Sequence, residues 1–91
     1  MNEEVYKLPQ SSVLDLHHFN PNEVAELVQE FIWSCKQNRI KHGIIIHGKG
    51  KGSLRETTHS VLKDCPEVES FALGGTNNPE NWGQTSFQIL D

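Results

Sequence analysis

Alternation of apolar and polar residues marks the first structured stretch of the chain. Over residues 12–17, Leu14 and Leu16 alternate with the polar residues Asp15 and His17, which predicts a β-strand with two distinct faces. The apolar spacing then changes to three and four residues, which predicts an amphipathic helix. Its apolar stripe is formed by Val24, Leu27, Val28, Phe31, Ile32 and Cys35.

Local signals predict where the helices begin and where the second strand lies. Asn20 followed by Pro21 is a typical start for the first helix. Residues 41–47 contain three consecutive isoleucines, which predicts a second strand that is buried on both faces. Ser53 and Glu56 have the spacing of a capping box, so we expect the second helix to start at Ser53.

Two further β-type runs complete the pattern. Strands are predicted over residues 68–73 and 84–90, separated by a polar loop rich in turn residues. The order βαβαββ predicts an α/β fold, a two-layer sandwich in which two helices cover a four-stranded mixed sheet. The first two strands should be parallel, with a right-handed crossover, and the last two antiparallel.

Length and composition predict one small domain. The chain has 91 residues, which we divide into a flexible N-terminal arm, residues 1–11, and a folded domain, residues 12–91. No apolar run approaches the ~20 residues of a membrane span, and the acidic start is unlike a signal peptide. Cys35 and Cys65 fall on helical apolar stripes, which favours core packing over a disulfide. We expect a cytoplasmic monomer.

The charge distribution points to a polyanionic partner, although the net charge is −4. Between Phe31 and Arg55 there are six basic residues and no acidic ones, which predicts a basic side near residues 48–52. A solvated basic surface without a partner is the alternative. The basic residues are Lys36, Arg39, Lys41, Lys49, Lys51 and Arg55.

The segment 48–52, which we call the glycine loop, has glycine at alternate positions between a strand and a helix. Backbone N–H groups and the positive end of the helix dipole favour a phosphate there, and Lys49, Lys51 and Arg55 add positive charge. A merely tight turn is the alternative. The loop matches neither the P-loop pattern nor the dinucleotide-binding pattern, so ATP, GTP and NAD are not expected.

The predicted crossover brings separate motifs together. Parallel strands end at the same edge of a sheet, where ligands bind in such folds. We therefore expect Asp15, His17 and His18 to lie beside His47 and the glycine loop.

These motifs resemble those of the Smr (small MutS-related) domain family. Residues 14–17 read Leu-Asp-Leu-His, residues 47–50 read His-Gly-Lys-Gly, and Leu54-Arg55 opens the next helix, as in that family. His18 stands where the family usually has glycine, which leaves the substrate scope open. The resemblance implies a fold like the C-terminal domain of translation initiation factor three.

The resemblance also implies a function. Members of the family bind nucleic acid and often act as endonucleases or nickases on DNA or RNA; others are binding modules or associate with the ribosome. By position, Asp15 and His17 match the motif tied to cleavage. The residues that match the loop tied to binding and activity are His47, Gly48, Lys49 and Gly50, to which we add Lys51 and Arg55 for their charge.

The chemistry of these residue types agrees with that function. His17 can transfer protons near neutral pH. Asp15 could orient His17, favour its protonated form, hold a divalent metal, or simply cap backbone N–H groups. No zinc-ligand spacing occurs, so no metal site is assigned, and a magnesium ion brought with the phosphate stays an open alternative. Trp82 is a candidate for stacking on a base or for anchoring its loop, whereas His42 and His59 are interpreted as surface residues.

Overall fold

A computed structural model describes residues 11–17, 19–48, 52–74 and 83–90 of the chain. The strands are β1 (Ser11–Asp15), β2 (His42–Ile46), β3 (Val68–Leu73) and β4 (Gln84–Ile89), and the helices are α1 (Pro21–Gln37) and α2 (Gly52–Asp64). Residues 1–10 of the predicted arm, with His18, Lys49, Gly50, Lys51 and Trp82, lie outside the described residues, whereas Ser11, which was assigned to the arm, is the first residue of β1. Neither α1 nor α2 is long and apolar enough to cross a membrane.

The strands form one mixed sheet in the spatial order β1-β2-β4-β3. β1 pairs in parallel with β2, with Asp15 opposite Ile46, and β4 pairs antiparallel with both β2 and β3. The predicted βαβαββ order and the four-stranded mixed sheet with two helices are confirmed. The parallel pair places the carboxyl ends of β1 and β2 side by side, at what we call the carboxyl edge.

The hydrophobic core lies between the sheet and the two helices. α1 buries Val24, Val28, Ile32 and Cys35, which belong to its predicted stripe. Both described cysteines, Cys35 and Cys65, are free, as core packing requires. The remaining fully buried apolar side chains include Leu16, Ile45, Leu62 and Phe87.

The prediction that the second strand is buried on both faces is wrong. Along β2, Ile45 is buried, whereas its neighbours Ile44 and Ile46 are only half-buried. The helices cover one face of the sheet, and the other face keeps partial access to solvent, as the exposed Val13 on β1 also shows. A run of apolar residues does not reveal how many layers cover a strand, because β-branched residues also suit half-buried faces.

The helix starts follow the sequence signals closely but not fully. Pro21 is the first residue of α1, and the backbone N–H of Asn20 donates to Glu23 Oε1 at 3.3 Å. α2, however, begins at Gly52, so Ser53 lies inside the helix and does not cap it. The predicted capping role of Ser53 is therefore wrong, and the helix starts one residue earlier than predicted.

The basic stretch does not collect on one side of the molecule. Lys36, Arg39 and Lys41 precede β2, and Lys36 Nζ donates to the Leu90 carbonyl at 3.0 Å. Arg55, in contrast, follows β2. The five residues of β2 put roughly 15 Å between the two ends of the strand at the usual rise per residue. The single basic side that the sequence suggested is divided because a strand crosses the sheet between the two groups.

Candidate nucleic-acid interface

Asp15 and His17 form a hydrogen-bonded pair at the carboxyl edge. Oδ1 of Asp15 lies 2.6 Å from Nδ1 of His17 and also accepts the backbone N–H of His17 at 2.9 Å. Because a carboxylate only accepts, Nδ1 of His17 carries the proton that it shares with Asp15. Both side chains are about half exposed (His17 58%, Asp15 51%). The pair is therefore held locally and remains open to a large ligand.

The other ring nitrogen of His17 faces the start of the glycine loop. A methyl group placed on Gly48 would lie 3.8 Å from Nε2 of His17. With Nδ1 protonated, Nε2 of the neutral ring has a free lone pair and can accept a proton. The structure thus brings the Asp15–His17 pair next to the first residue of the glycine loop, as the predicted crossover requires.

Gly48 is anchored through its backbone to Gly83, the residue before β4. Its φ is +81°, a conformation that favours glycine, and its N–H donates to the Gly83 carbonyl at 2.9 Å. The N–H of His47 donates to the same oxygen at 2.9 Å. Contrary to the sequence-based expectation, the Gly48 amide is therefore already used and is not available to bind phosphate.

His47 is buried at the end of β2 and does not lie on the surface. Its side chain is 4% exposed, Nε2 lies 2.8 Å from Thr85 Oγ1, and Nδ1 lies 3.2 Å from the Gly48 carbonyl oxygen. Burial lowers the pKa of His47 most strongly, the hydrogen bond with the Gly48 carbonyl opposes this in part, and electrostatic repulsion from His59 and Arg55 lowers it further. A neutral, buried ring can shape a binding loop but does not itself reach a nucleic acid.

The interpretation of His59 as a surface residue is wrong. His59 on α2 is half-buried, and its Nε2 lies 2.8 Å from the same Thr85 Oγ1 that contacts His47. Burial lowers the pKa of His59, and the positive charge of Arg55 lowers it further. The helical spacing contained a signal, since His59 lies three residues before the inward-facing Leu62. Thr85 was missed because its partners become visible only when β4 is placed in the sheet.

Arg55 supplies the described positive charge at the loop. A methyl group placed on Gly52 would lie 3.2 Å from Nη2 of Arg55, so the guanidinium lies over the first turn of α2. Its charge lowers the pKa values of His47 and His59, which places it close to the buried histidines. A guanidinium at a helix N-terminus suits a phosphate oxygen.

The donor set does not suit a protein-held metal. Among residues 11–17, 19–48, 52–74 and 83–90, no three or more histidine, cysteine, aspartate or glutamate side chains are grouped so that they could hold a metal ion. Asp15 is the carboxylate of the site, and its Oδ1 already accepts two hydrogen bonds. We therefore derive no step through magnesium.

The sequence matches a known family and proteins that carry its domain. The model of the Smr domain family matches residues 14–86. The endonuclease MutS2 of Ruminiclostridium cellulolyticum is 32% identical over 71 residues, which cover 78% of this chain and 9% of that protein. The ribosome rescue factor SmrB of Yersinia pseudotuberculosis is 27% identical over 77 residues, which cover 85% of this chain and 42% of that protein. The chain thus spans less than half the length of either relative.

The fold is also similar to that of solved structures. The Smr domain of Thermus thermophilus MutS2 aligns with a TM-score of 0.78 at 24% identity, over 88% of this chain and 99% of that one. YdaL, a stand-alone small MutS-related protein from Escherichia coli, aligns with a TM-score of 0.79 at 20% identity, over 97% of this chain and 71% of that one. These likenesses show the fold, and the family match confirms the resemblance found in the sequence.

Proposed function

The chain belongs to the Smr domain family, and from this premise we propose that it binds nucleic acid at the carboxyl edge and cuts phosphodiester bonds there. The observation that carries the proposal is the Asp15–His17 pair, in which Nε2 of His17 faces Gly48. The relatives support a function that involves nucleic acid in general terms, since one is named an endonuclease and another a ribosome rescue factor. We place the protein in the cytoplasm and expect it to act as a monomer.

In the proposed reaction, the roles of His17, Asp15 and Arg55 follow from their geometry, and those of Lys49 and Lys51 from their charge. Nε2 of His17 takes the proton of the attacking water or sugar hydroxyl as the new P–O bond forms and the bond to the leaving oxygen breaks, and the leaving oxygen takes up a proton from solvent. Asp15 holds the ring by its Nδ1–H and stabilises the imidazolium that results. Arg55, with Lys49 and Lys51 of the glycine loop, stabilises the negative charge that develops on the phosphoryl oxygens.

A non-catalytic docking module is the second candidate. Asp15 Oδ1 accepts the backbone N–H of His17 at 2.9 Å, so the carboxylate also has a structural role that needs no substrate. The relation to a ribosome rescue factor favours a ribonucleoprotein or ribosomal partner for such a module. The two candidates differ in whether the bound nucleic acid is cut.

Binding itself is tested by its dependence on salt. We expect the logarithm of the association constant for DNA or RNA to fall linearly with the logarithm of the salt concentration, because lysine and arginine release counterions from phosphates. Lys49→Ala should reduce the slope by about one and weaken binding equally for all sequences, since a phosphate contact carries no base information. Fluorescence anisotropy with labelled oligonucleotides over a salt series measures both quantities.

Lys63 provides the matched control for this measurement. It is exposed in the last turn of α2, at the opposite end of that helix from the glycine loop. Lys63→Ala should therefore leave the slope unchanged. If binding does not depend on salt, or if both lysine variants lose affinity equally, the proposed location of the interface is wrong.

A further inference from the structure

The side chains of His47, Thr85 and His59 form a continuous network of polar contacts that ends at the Gly48 carbonyl. Thr85 Oγ1 lies 2.8 Å from Nε2 of His47 and 2.8 Å from Nε2 of His59. Nδ1 of His47 lies 3.2 Å from the Gly48 carbonyl oxygen. Thr85 is fully buried, and His47 is 4% exposed, so these groups rely on one another for their hydrogen bonds.

The direction of each of these hydrogen bonds follows from counting the protons that the three side chains can donate. The Gly48 carbonyl only accepts, so Nδ1 of His47 must carry a proton. In a neutral ring Nε2 then lacks one and must accept the hydroxyl proton of Thr85. That hydroxyl has no second proton to give, so Nε2–H of His59 must donate to Thr85 Oγ1.

We propose that Thr85 and His59 are positioning residues, which fix His47 in the tautomer whose Nδ1–H donates to the Gly48 carbonyl. The proposal rests on the proposed function, because Gly48 begins the loop that would present a phosphate to Nε2 of His17. The lowered pKa values of His47 and His59 support it, since both rings then stay neutral near pH 7, as the chain of hydrogen bonds requires.

A role in packing alone makes a different prediction. Thr85→Val keeps the β-branched shape of this buried side chain and removes the hydroxyl, whereas Thr85→Ser keeps the hydroxyl and removes a methyl group. His59→Gln keeps an amide N–H that can donate to Thr85, whereas His59→Leu keeps bulk without a donor. If these residues act only by filling space, loss of the Thr85 hydroxyl or of the His59 donor should not change the tautomer of His47.

The tautomer of His47 can be read directly by NMR of the ¹⁵N-labelled imidazole, without any nucleic acid. We expect the Nδ1–H tautomer in the wild type and in Thr85→Ser and His59→Gln. In Thr85→Val and His59→Leu we expect a mixture or the Nε2–H tautomer. The backbone amide spectrum and thermal melting establish that each variant is folded, and the two pairs provide independent tests if one variant does not fold.

Two results would overturn the proposal: an Nε2–H tautomer of His47 in the wild type, or a tautomer that is unchanged in both Thr85→Val and His59→Leu. In the cleavage assay, Thr85→Val should lower the single-turnover rate by about tenfold, the equivalent of one lost hydrogen bond, and Thr85→Ser should restore it. Because the NMR measurement needs no substrate, it still decides the positioning role if the wild type proves unable to cut nucleic acid.

Discussion

His17→Ala is expected to lower the single-turnover rate of phosphodiester cleavage by about 10²- to 10⁴-fold, the usual contribution of a general acid–base residue. The dissociation constant for the same nucleic acid should change by less than about tenfold, or 1.4 kcal/mol, because binding is assigned to the cations of the loop. Nicking of supercoiled plasmid and of structured RNA, with and without EDTA, measures the rate. Anisotropy measures the affinity.

Substitutions at the same pair separate proton transfer from other roles. His17→Gln keeps a polar side chain but cannot carry the proton, so it should be as slow as His17→Ala. Asp15→Asn should also slow cleavage, and raised magnesium should not restore the rate, because Asp15 is assigned to holding the ring of His17. Glu69→Gln removes an exposed carboxylate on β3 and serves as the control.

The cleavage assay has two outcomes that contradict this assignment. If His17→Ala cuts as fast as the wild type, the chemical centre is elsewhere. If the purified wild type never cuts, with contaminating nucleases excluded, the docking module is the correct function and Asp15 is a structural carboxylate.

Gly43→Ala is expected to destabilise the fold strongly. A β-carbon on Gly43 would lie 2.3 Å from Cζ and 2.6 Å from Cε2 of Phe87, its partner on β4. The ring cannot simply move away, because Phe87 is buried and packs edge-on against Phe31 with centroids 5.9 Å apart. Overpacking of this kind costs about 3 kcal/mol, which would lower the melting temperature by at least about 10 °C in a domain of this size.

Circular dichroism during heating measures this loss, and two variants make the result specific. Gly52→Ala meets mainly the movable end of Arg55, at 3.2 Å, so it should change the melting temperature little. Gly43→Ala combined with Phe87→Leu should recover part of the loss, because the smaller side chain leaves room for the new methyl group. A melting temperature of Gly43→Ala equal to that of the wild type would contradict the close packing of Phe87 on Gly43.

Much of the fold could be predicted because its signals are local. The alternation around Leu14 and Leu16 defined the inner face of β1, and three- and four-residue spacing defined the buried stripe of α1. The parallel crossover followed from the order of the elements. That order also predicted that Asp15 and His17 lie at the same edge as Gly48.

What could not be predicted depends on contacts between distant parts of the chain. Ile44 and Ile46 look like core residues until the number of layers is known, and they are only half-buried. His59 looks like a surface residue until β4 brings Thr85 beside it. The clash that makes Gly43 necessary is likewise with Phe87, on a strand far along the sequence.

The location of the nucleic-acid interface at the carboxyl edge is the central claim, and an NMR titration tests it most directly. ¹⁵N-labelled His17→Ala protein, which is expected to cut its ligand at least about 10²-fold more slowly than the wild type, is titrated with short DNA and RNA oligonucleotides. The largest amide shifts are expected at Asp15, Gly48 and Arg55. Little change is expected at Lys36 and Lys41, which lie at the opposite end of β2. If the largest shifts occur at Lys36 and Lys41 instead, or if no residue shifts at low salt, the account is contradicted.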